Sequence, residues 1–274
     1  MKKQPASGMS IPAGATIDEP DRTRLADIVQ AFDNAGVRLW MDQGSLLGLV
    51  RDGKWIPWDP DIDLGVWRDD LAGKEWRILA ALLRSPREFR VKFRPSDIAI
   101  GTKKSKPAPL PVQIAIYDRR GNRAVKPLSI PAEESIHHPG KGARILASLG
   151  SRIAYIGRLG ARSLVKSSAL ERSRLLQRLL QGFIGLEIAG NRTKAKEKQW
   201  VNTEAPAAFF ETLKTESISG VEIPLPHDAE GYLAFKYGET WRTPRRDWRY
   251  WEQDGAVTGS DSGTRSETPR DSAD

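Results

Sequence analysis

The stretch Trp58-Asp59-Pro60-Asp61-Ile62-Asp63-Leu64-Gly65-Val66-Trp67 permits few folds. Acidic and apolar residues alternate through its middle, the two-residue period of a strand with one buried face. In such a strand Asp61 and Asp63 share one side, and Ile62 and Leu64 enter a core on the other. Two carboxylates held that close repel unless a positive group stands between them. A divalent cation meets the need, and hard oxygen ligands suit Mg²⁺ or Mn²⁺. Upstream, Gly44-Ser45 is expected to open a short helix with Ser45 as its cap, and amides at a helix start can receive a phosphate. An anion site beside a metal site is what phosphoryl transfer needs.

Competing motifs fail on spacing. Asp59-x-Asp61-x-Asp63 begins like a calcium loop, but Leu64 stands at the sixth position, where that loop needs glycine, and Asp70 at the twelfth, where it needs glutamate. Gly48 to Lys54 has the frame of a P-loop, yet Trp55 occupies the place of its Mg²⁺-binding Ser or Thr. Ser45 lies in no G-x-S-x-G elbow and has no histidine near it in sequence. His137-His138 beside Pro139 reads as a surface loop rather than a metal pair.

The surrounding pattern is mixed α+β with a small sheet and flanking helices. Residues 1–18 are Pro/Gly/Ser-rich and read as a disordered N-terminus. A helix follows, with Asp18 or Asp21 as cap, Pro20 in its first turn, Leu25, Ile28, Val29 and Phe32 on one face, and Gly36 past its end. Strands are predicted at Val37–Asp42, Asp61–Trp67, Glu88–Arg94, Asp97–Thr102 and Pro111–Asp118, and a helix over Leu71–Leu83. The expected organisation is a catalytic core over 19–135, a basic helical insertion over 136–203, a C-terminal helical segment over 204–252 that completes the site, and a disordered tail over 253–274.

Charge is concentrated in the insertion. The 274-residue chain carries a formal +8, yet residues 141–198 alone hold 13 Lys and Arg against 3 acidic residues, so the remainder is slightly acidic. That block suggests a patch for something anionic. Nucleic acid is not expected, because the block has no recognisable motif and few interleaved aromatics. Ile145, Leu146, Leu149, Ile153 and Ile156 below Arg144, Arg152 and Arg158 could instead meet lipid headgroups as a peripheral membrane contact through 141–198. Cysteine is absent, which excludes disulfides, thiolate catalysis and cysteine-ligated zinc and fits a reducing compartment. With no apolar run long enough to span a bilayer and no apolar stretch behind Lys2-Lys3, the expected location is cytoplasmic, at most peripheral on the inner membrane face.

Two blocks carry a resemblance. Gly44 to Val66, "GSLLGLVRDGKWIPWDPDIDLGV", resembles the signature of the LicD/fukutin family of the nucleotidyltransferase-fold superfamily. Tyr232 to Trp251, "YLAFKYGETWRTPRRDWRYW", resembles that family's C-terminal segment. The resemblance implies a nucleotidyltransferase-like mixed sheet and a transferase that moves a phospho-alcohol from a CDP-activated donor to a sugar hydroxyl of a glycan, lipid-linked in some settings, with release of CMP. It implies Asp61 and Asp63 as Mg²⁺ (or Mn²⁺) ligands, Gly44 and Ser45 on the donor phosphate, and Arg51 neutralising phosphate charge. Trp58 and Asp59 would shape the pocket lip, and Tyr237, Gly238, Trp241 and Pro244 would line or brace the far wall. One departure stands out: Gln113 occupies the place of a further family carboxylate, so either another carboxylate serves (Asp42, Asp59 or Asp118), or the metal site has two protein carboxylates only, or activity is weakened. The alternatives are a nucleotidyltransferase that moves NMP, or a catalytically impaired glycan- or nucleotide-binding protein.

Overall fold

The structure is a computed structural model that describes residues 11–102, 109–130, 169–195 and 199–257. The expected lipid-facing residues between Arg144 and Arg158, and His137-His138, lie outside the described residues.

Helix α1 (Glu19–Asn34) begins after Asp18 with Pro20 in its first turn, and its Leu25, Ile28 and Phe32 are fully buried. Strand β1 (Leu39–Met41) follows, then α2 (Gln43–Asp52) and β2 (Ile62–Trp67). The helix expected over 71–83 is two pieces, α3 (Arg68–Leu71) and α4 (Glu75–Arg84), separated at Gly73, whose φ of 75° no helix accommodates. Next come β3 (Phe89–Phe93), β4 (Asp97–Thr102), β5 (Val112–Arg120) and β6 (Arg123–Ile130). The C-terminal part holds α5 (Ala169–Arg172), α6 (Arg174–Ala195), β7 (Gln199–Pro206), α7 (Ala208–Glu211), β8 (Leu213–Ile218), β9 (Val221–Pro226), α8 (Ala229–Tyr237) and α9 (Tyr250–Gln253).

Seven strands form one mixed sheet in the order β1-β2-β5-β4-β3, with β6 paired to the far end of β5 and β7 along β6. This is the expected α+β class. Strands β2 and β5 run parallel, with Asp63 beside Gln113 in register, while β1 lies antiparallel to β2. Helix α1 packs on α4, α4 on α6, and α8 on α2. Under the sheet, Trp40 stacks on Phe210 with ring centroids 5.0 Å apart, and Trp67 and Tyr117 close the same aromatic cluster.

Three boundaries differ from expectation. Residues 11–18 are docked rather than loose: Ile17 is buried and its N–H donates to Ser219 Oγ (3.0 Å), while Thr16 N–H donates to the Gly53 carbonyl (2.8 Å). Segment 204–252 contains a β8–β9 hairpin as well as helix, turned by Ser219 (φ 52°) and Gly220 (φ 78°). Residues 253–257 are also structured, because Asp254 is buried against the Lys236 ammonium and Glu204 N–H donates to the Ala256 carbonyl (2.6 Å).

Candidate active site

Strand β2 carries the acidic stretch as its alternation requires. Ile62 and Leu64 are buried in the core, and the carboxylates of Asp59, Asp61 and Asp63 converge on the opposite side, one oxygen of each lying within 4.8 Å of the others. The turn before β2 carries Asp59 and Asp61 to the carboxylate of Asp63 on the strand.

Helix α2 presses its first turn against this cluster. Its cap is Asp42, not Ser45: Asp42 Oδ1 accepts the Gln43 N–H (2.8 Å), and the helix starts one turn earlier than the expected cap. Ser45 is instead a pin. Its buried Oγ accepts the N–H of Asp63 (2.9 Å), tying the helix to the strand. Gln43, at a φ of 45° uncommon for a residue with a side chain, turns its amide to donate to Asp63 Oδ1 (3.1 Å). Gly44 leaves the space that the acids fill: a β-carbon there would lie 2.0 Å from Asp59 Oδ2 and 3.6 Å from Asp63 Oδ2.

Burial and mutual repulsion make the three acids reluctant anions. Burial, then the charge of Asp61, pushes Asp59 up to about 6. Burial raises Asp61, and it raises Asp63 well above the ordinary carboxylate range, with Asp61 adding to the effect and Lys126 opposing it. Three oxygen donors in one place, poorly satisfied without a cation, fit a hard divalent ion.

The cluster forms one wall of a cavity of about 860 Å³. Gly44, Arg51, Trp58, Tyr237 and Trp241 all line it, so the structure gathers these sequence-named residues around the acids. Trp58 stands at the lip, 41% exposed, with the Arg246 guanidinium 4.6 Å from its ring. Arg51 is held by Asp52 (Nη2 to Oδ2, 2.7 Å) while facing the cavity. Tyr237 packs on Trp248 at 5.1 Å, and Trp241 is buried as a brace. Ser45 lies behind the wall.

Of the acids offered as substitutes for the carboxylate missing at Gln113, only Asp59 reaches the cavity. Asp118 is paired with Arg68 on the far end of β5. Asp42 is fully buried and accepts from the hydroxyls of Tyr117 and Tyr232, each at 2.6 Å, as well as from Gln43. Gln113 itself lines the cavity as a neutral amide.

Two residues without any sequence signal also line it. Lys126 on β6 is 5% exposed, and Lys236 on α8 is 4% exposed. Only long-range pairing brings them here, β6 through β5 and α8 through α2, so no local spacing could have flagged them.

Residues 36–122 match the family described as "LicD/FKTN/FKRP, nucleotidyltransferase domain". The span holds α2, β2 and β5, hence all three carboxylates, and the resemblance carried by the first sequence block holds over it. The second block lies beyond the matched span. The ribitol 5-phosphate transferases FKRP of Mus musculus and Homo sapiens are each 48% identical over 48 residues, covering 18% of this chain and 10% of theirs. The chain thus matches a tenth of the length of these curated relatives. Among solved structures, the crystal structure of ANT(2")-Ia in complex with adenylyl-2"-tobramycin is similar at 12% identity, over 58% of this chain and 96% of that one, with a TM-score of 0.28.

Proposed function

We propose that this chain is a divalent-metal-dependent transferase that moves a phospho-alcohol, of the phosphocholine or polyol-phosphate kind, from a CDP-activated donor to a sugar hydroxyl and releases CMP. The observation that carries the reading is the convergence of Asp59, Asp61 and Asp63 on one cavity, inside the span that matches the LicD/FKTN/FKRP domain. The names of the mouse and human relatives support a polyol phosphate as the group moved.

Asp61 and Asp63, with Asp59 beside them, would hold Mg²⁺ or Mn²⁺. Bound there, the ion supplies Lewis-acid neutralisation of the donor diphosphate. The chain's own residues do the positioning. Ser45 and Gln43 fix the Asp63 carboxylate in place, one through its amide and one through its oxygen. Gly44 keeps the first turn of α2 close to the acids, with helix-start amides that favour negative charge. Arg51, pre-set by Asp52, offers its guanidinium charge to the cavity. Trp58 and Trp248 offer flat faces against which a cytosine ring can pack. Beside the neutral Gln113, Asp59 is the one of the three substitute carboxylates that stands in the cavity to accept the proton of the attacking hydroxyl.

The test is CMP release. Purified protein with Mg²⁺, CDP-ribitol or CDP-choline and a glycan acceptor is expected to release CMP, and Asp61→Ala to lose that release. Equal CMP from Asp61→Ala ends the assignment, and label from the nucleotide moiety appearing on the acceptor indicates NMP transfer instead.

A further inference from the structure

Lys126 brings a loosely held cation to the cavity wall. Lys126 is 95% buried, and its ammonium makes only a long ion pair, with Asp42, among the described residues. Its nearest carboxylate oxygen is Asp42 Oδ2 at 4.0 Å, and that carboxylate is already committed to three short bonds, from Gln43 N–H and the Tyr117 and Tyr232 hydroxyls. On another side Nζ faces the Tyr117 ring, 5.2 Å from its centroid, which attracts the charge but accepts no conventional hydrogen bond. An ammonium with three donors and only one long ion pair is poorly compensated for its burial, and an arriving anion supplies what is missing.

Its neighbour provides the contrast. Lys236 is equally buried and lines the same cavity, but its ammonium is bonded directly to Asp254. Lys236 is satisfied by the fold, whereas Lys126, in the same cavity wall, has only the long contact to Asp42. Lys126 also lies near enough to Asp63 for each charge to act on the other, so it flanks the acidic cluster.

We infer that Lys126 is a substrate-binding residue that recognises a phosphate oxygen of the donor, on the side of the bound anion away from Asp59 and Asp61. The assignment rests on the phosphoryl-transfer reading for the identity of the anion, but its test does not require turnover. Three donors on one ammonium suit a non-bridging phosphate oxygen, and no side-chain carboxylate competes for them at short range.

Inorganic pyrophosphate is the probe, with EDTA present so that metal plays no part. Calorimetry is expected to give salt-sensitive binding to the wild type, at least about tenfold weaker binding to Lys126→Met, and near-wild-type binding to Lys126→Arg. Equal affinity of a folded Lys126→Met, or no binding by the wild type, overturns the assignment. Should Lys126→Met not fold, a wild-type crystal soaked in pyrophosphate decides the question. An oxygen within about 3.2 Å of Nζ supports the assignment, and pyrophosphate bound elsewhere, or absent, overturns it. No CMP release by the wild type, with intact Lys126-dependent pyrophosphate binding, would sink the transferase reading and leave the anion site standing.

Discussion

Replacing Gly44 with alanine separates the stability of the fold from the integrity of the acidic cluster. The added β-carbon would stand 2.0 Å from Asp59 Oδ2 and 3.2 Å from its Cγ, where real β-carbons essentially never come within 3.0 Å of another heavy atom. The Asp59 carboxylate must therefore retreat by at least 1.0 Å, the difference between those two distances. Asp63 Oδ2, at 3.6 Å, is in ordinary contact and can stay. The obstructing atom is the end of a side chain rather than backbone, so the helix has no reason to move. Alanine is also the better helix former, though Gly44, as second residue of α2, gains less than the about 1 kcal/mol of a helix interior, so stability should hold or rise slightly. A misplacement of about 1 Å in a functional group, by contrast, can cost about a hundredfold in rate. The expected result is a Gly44→Ala protein with a melting temperature at or above wild type and Mn²⁺ affinity, read by electron paramagnetic resonance of the free ion, weakened by at least about tenfold. Mn²⁺ bound as tightly as by the wild type would refute the reasoning, because Asp59 would then contribute nothing to the ion. A collapsed melting temperature would also refute it, because the clash would then fall on the backbone.

Further outcomes follow from the same geometry. Burial, then the charge of Asp61, pushes Asp59 in the folded chain up to about 6, above the ordinary carboxylate range, so the metal-free fold retains a proton there that the unfolded chain has lost. Its stabilising contribution is full below about pH 4 and disappears as pH rises through 6. Melts in EDTA should therefore lose stability over that window, and the rise in melting temperature on adding Mg²⁺ should be larger at pH 7.5 than at pH 5; equal rises at both would contradict the assignment. Asp254→Ala strands the buried Lys236 ammonium and should cost about 3–5 kcal/mol in urea unfolding, as for other broken buried pairs, whereas a change under 1 kcal/mol would mean that the chain beyond 252 does not matter to the fold.

What the sequence disclosed of this site was its local part. The alternation of Asp61 and Asp63 with Ile62 and Leu64 is a period-two signal, and the two faces of β2 follow from it directly. Gly44 was legible as a turn residue, but its purpose, room for Asp59, depends on a neighbour fifteen positions on. The helix cap was misplaced because Asp42 and Ser45 are both good caps, and only the β1 register decides between them: Asp42 leaves the strand pointing at the helix, which frees Ser45 to bind the Asp63 amide. The β8–β9 hairpin had a signal in Ser219-Gly220 between two runs of alternating residues, a two-residue turn of the primed kind. Lys126, Lys236 and Asp254 had none. Each is an ordinary charged residue in its own segment, and burial against partners far away in sequence is what changes its chemistry.

The central claim is that three acids of one strand and its approach turn hold a cation that engages the donor diphosphate. Crystals grown with Mn²⁺ and a CDP-alcohol test it through anomalous scattering at the manganese edge. The expected map has a peak about 2.1 Å from carboxylate oxygens of Asp59, Asp61 and Asp63, with a diphosphate oxygen completing its shell. A diphosphate seated in the cavity with no cation on those acids, or a cation there with the diphosphate bound elsewhere, would contradict it.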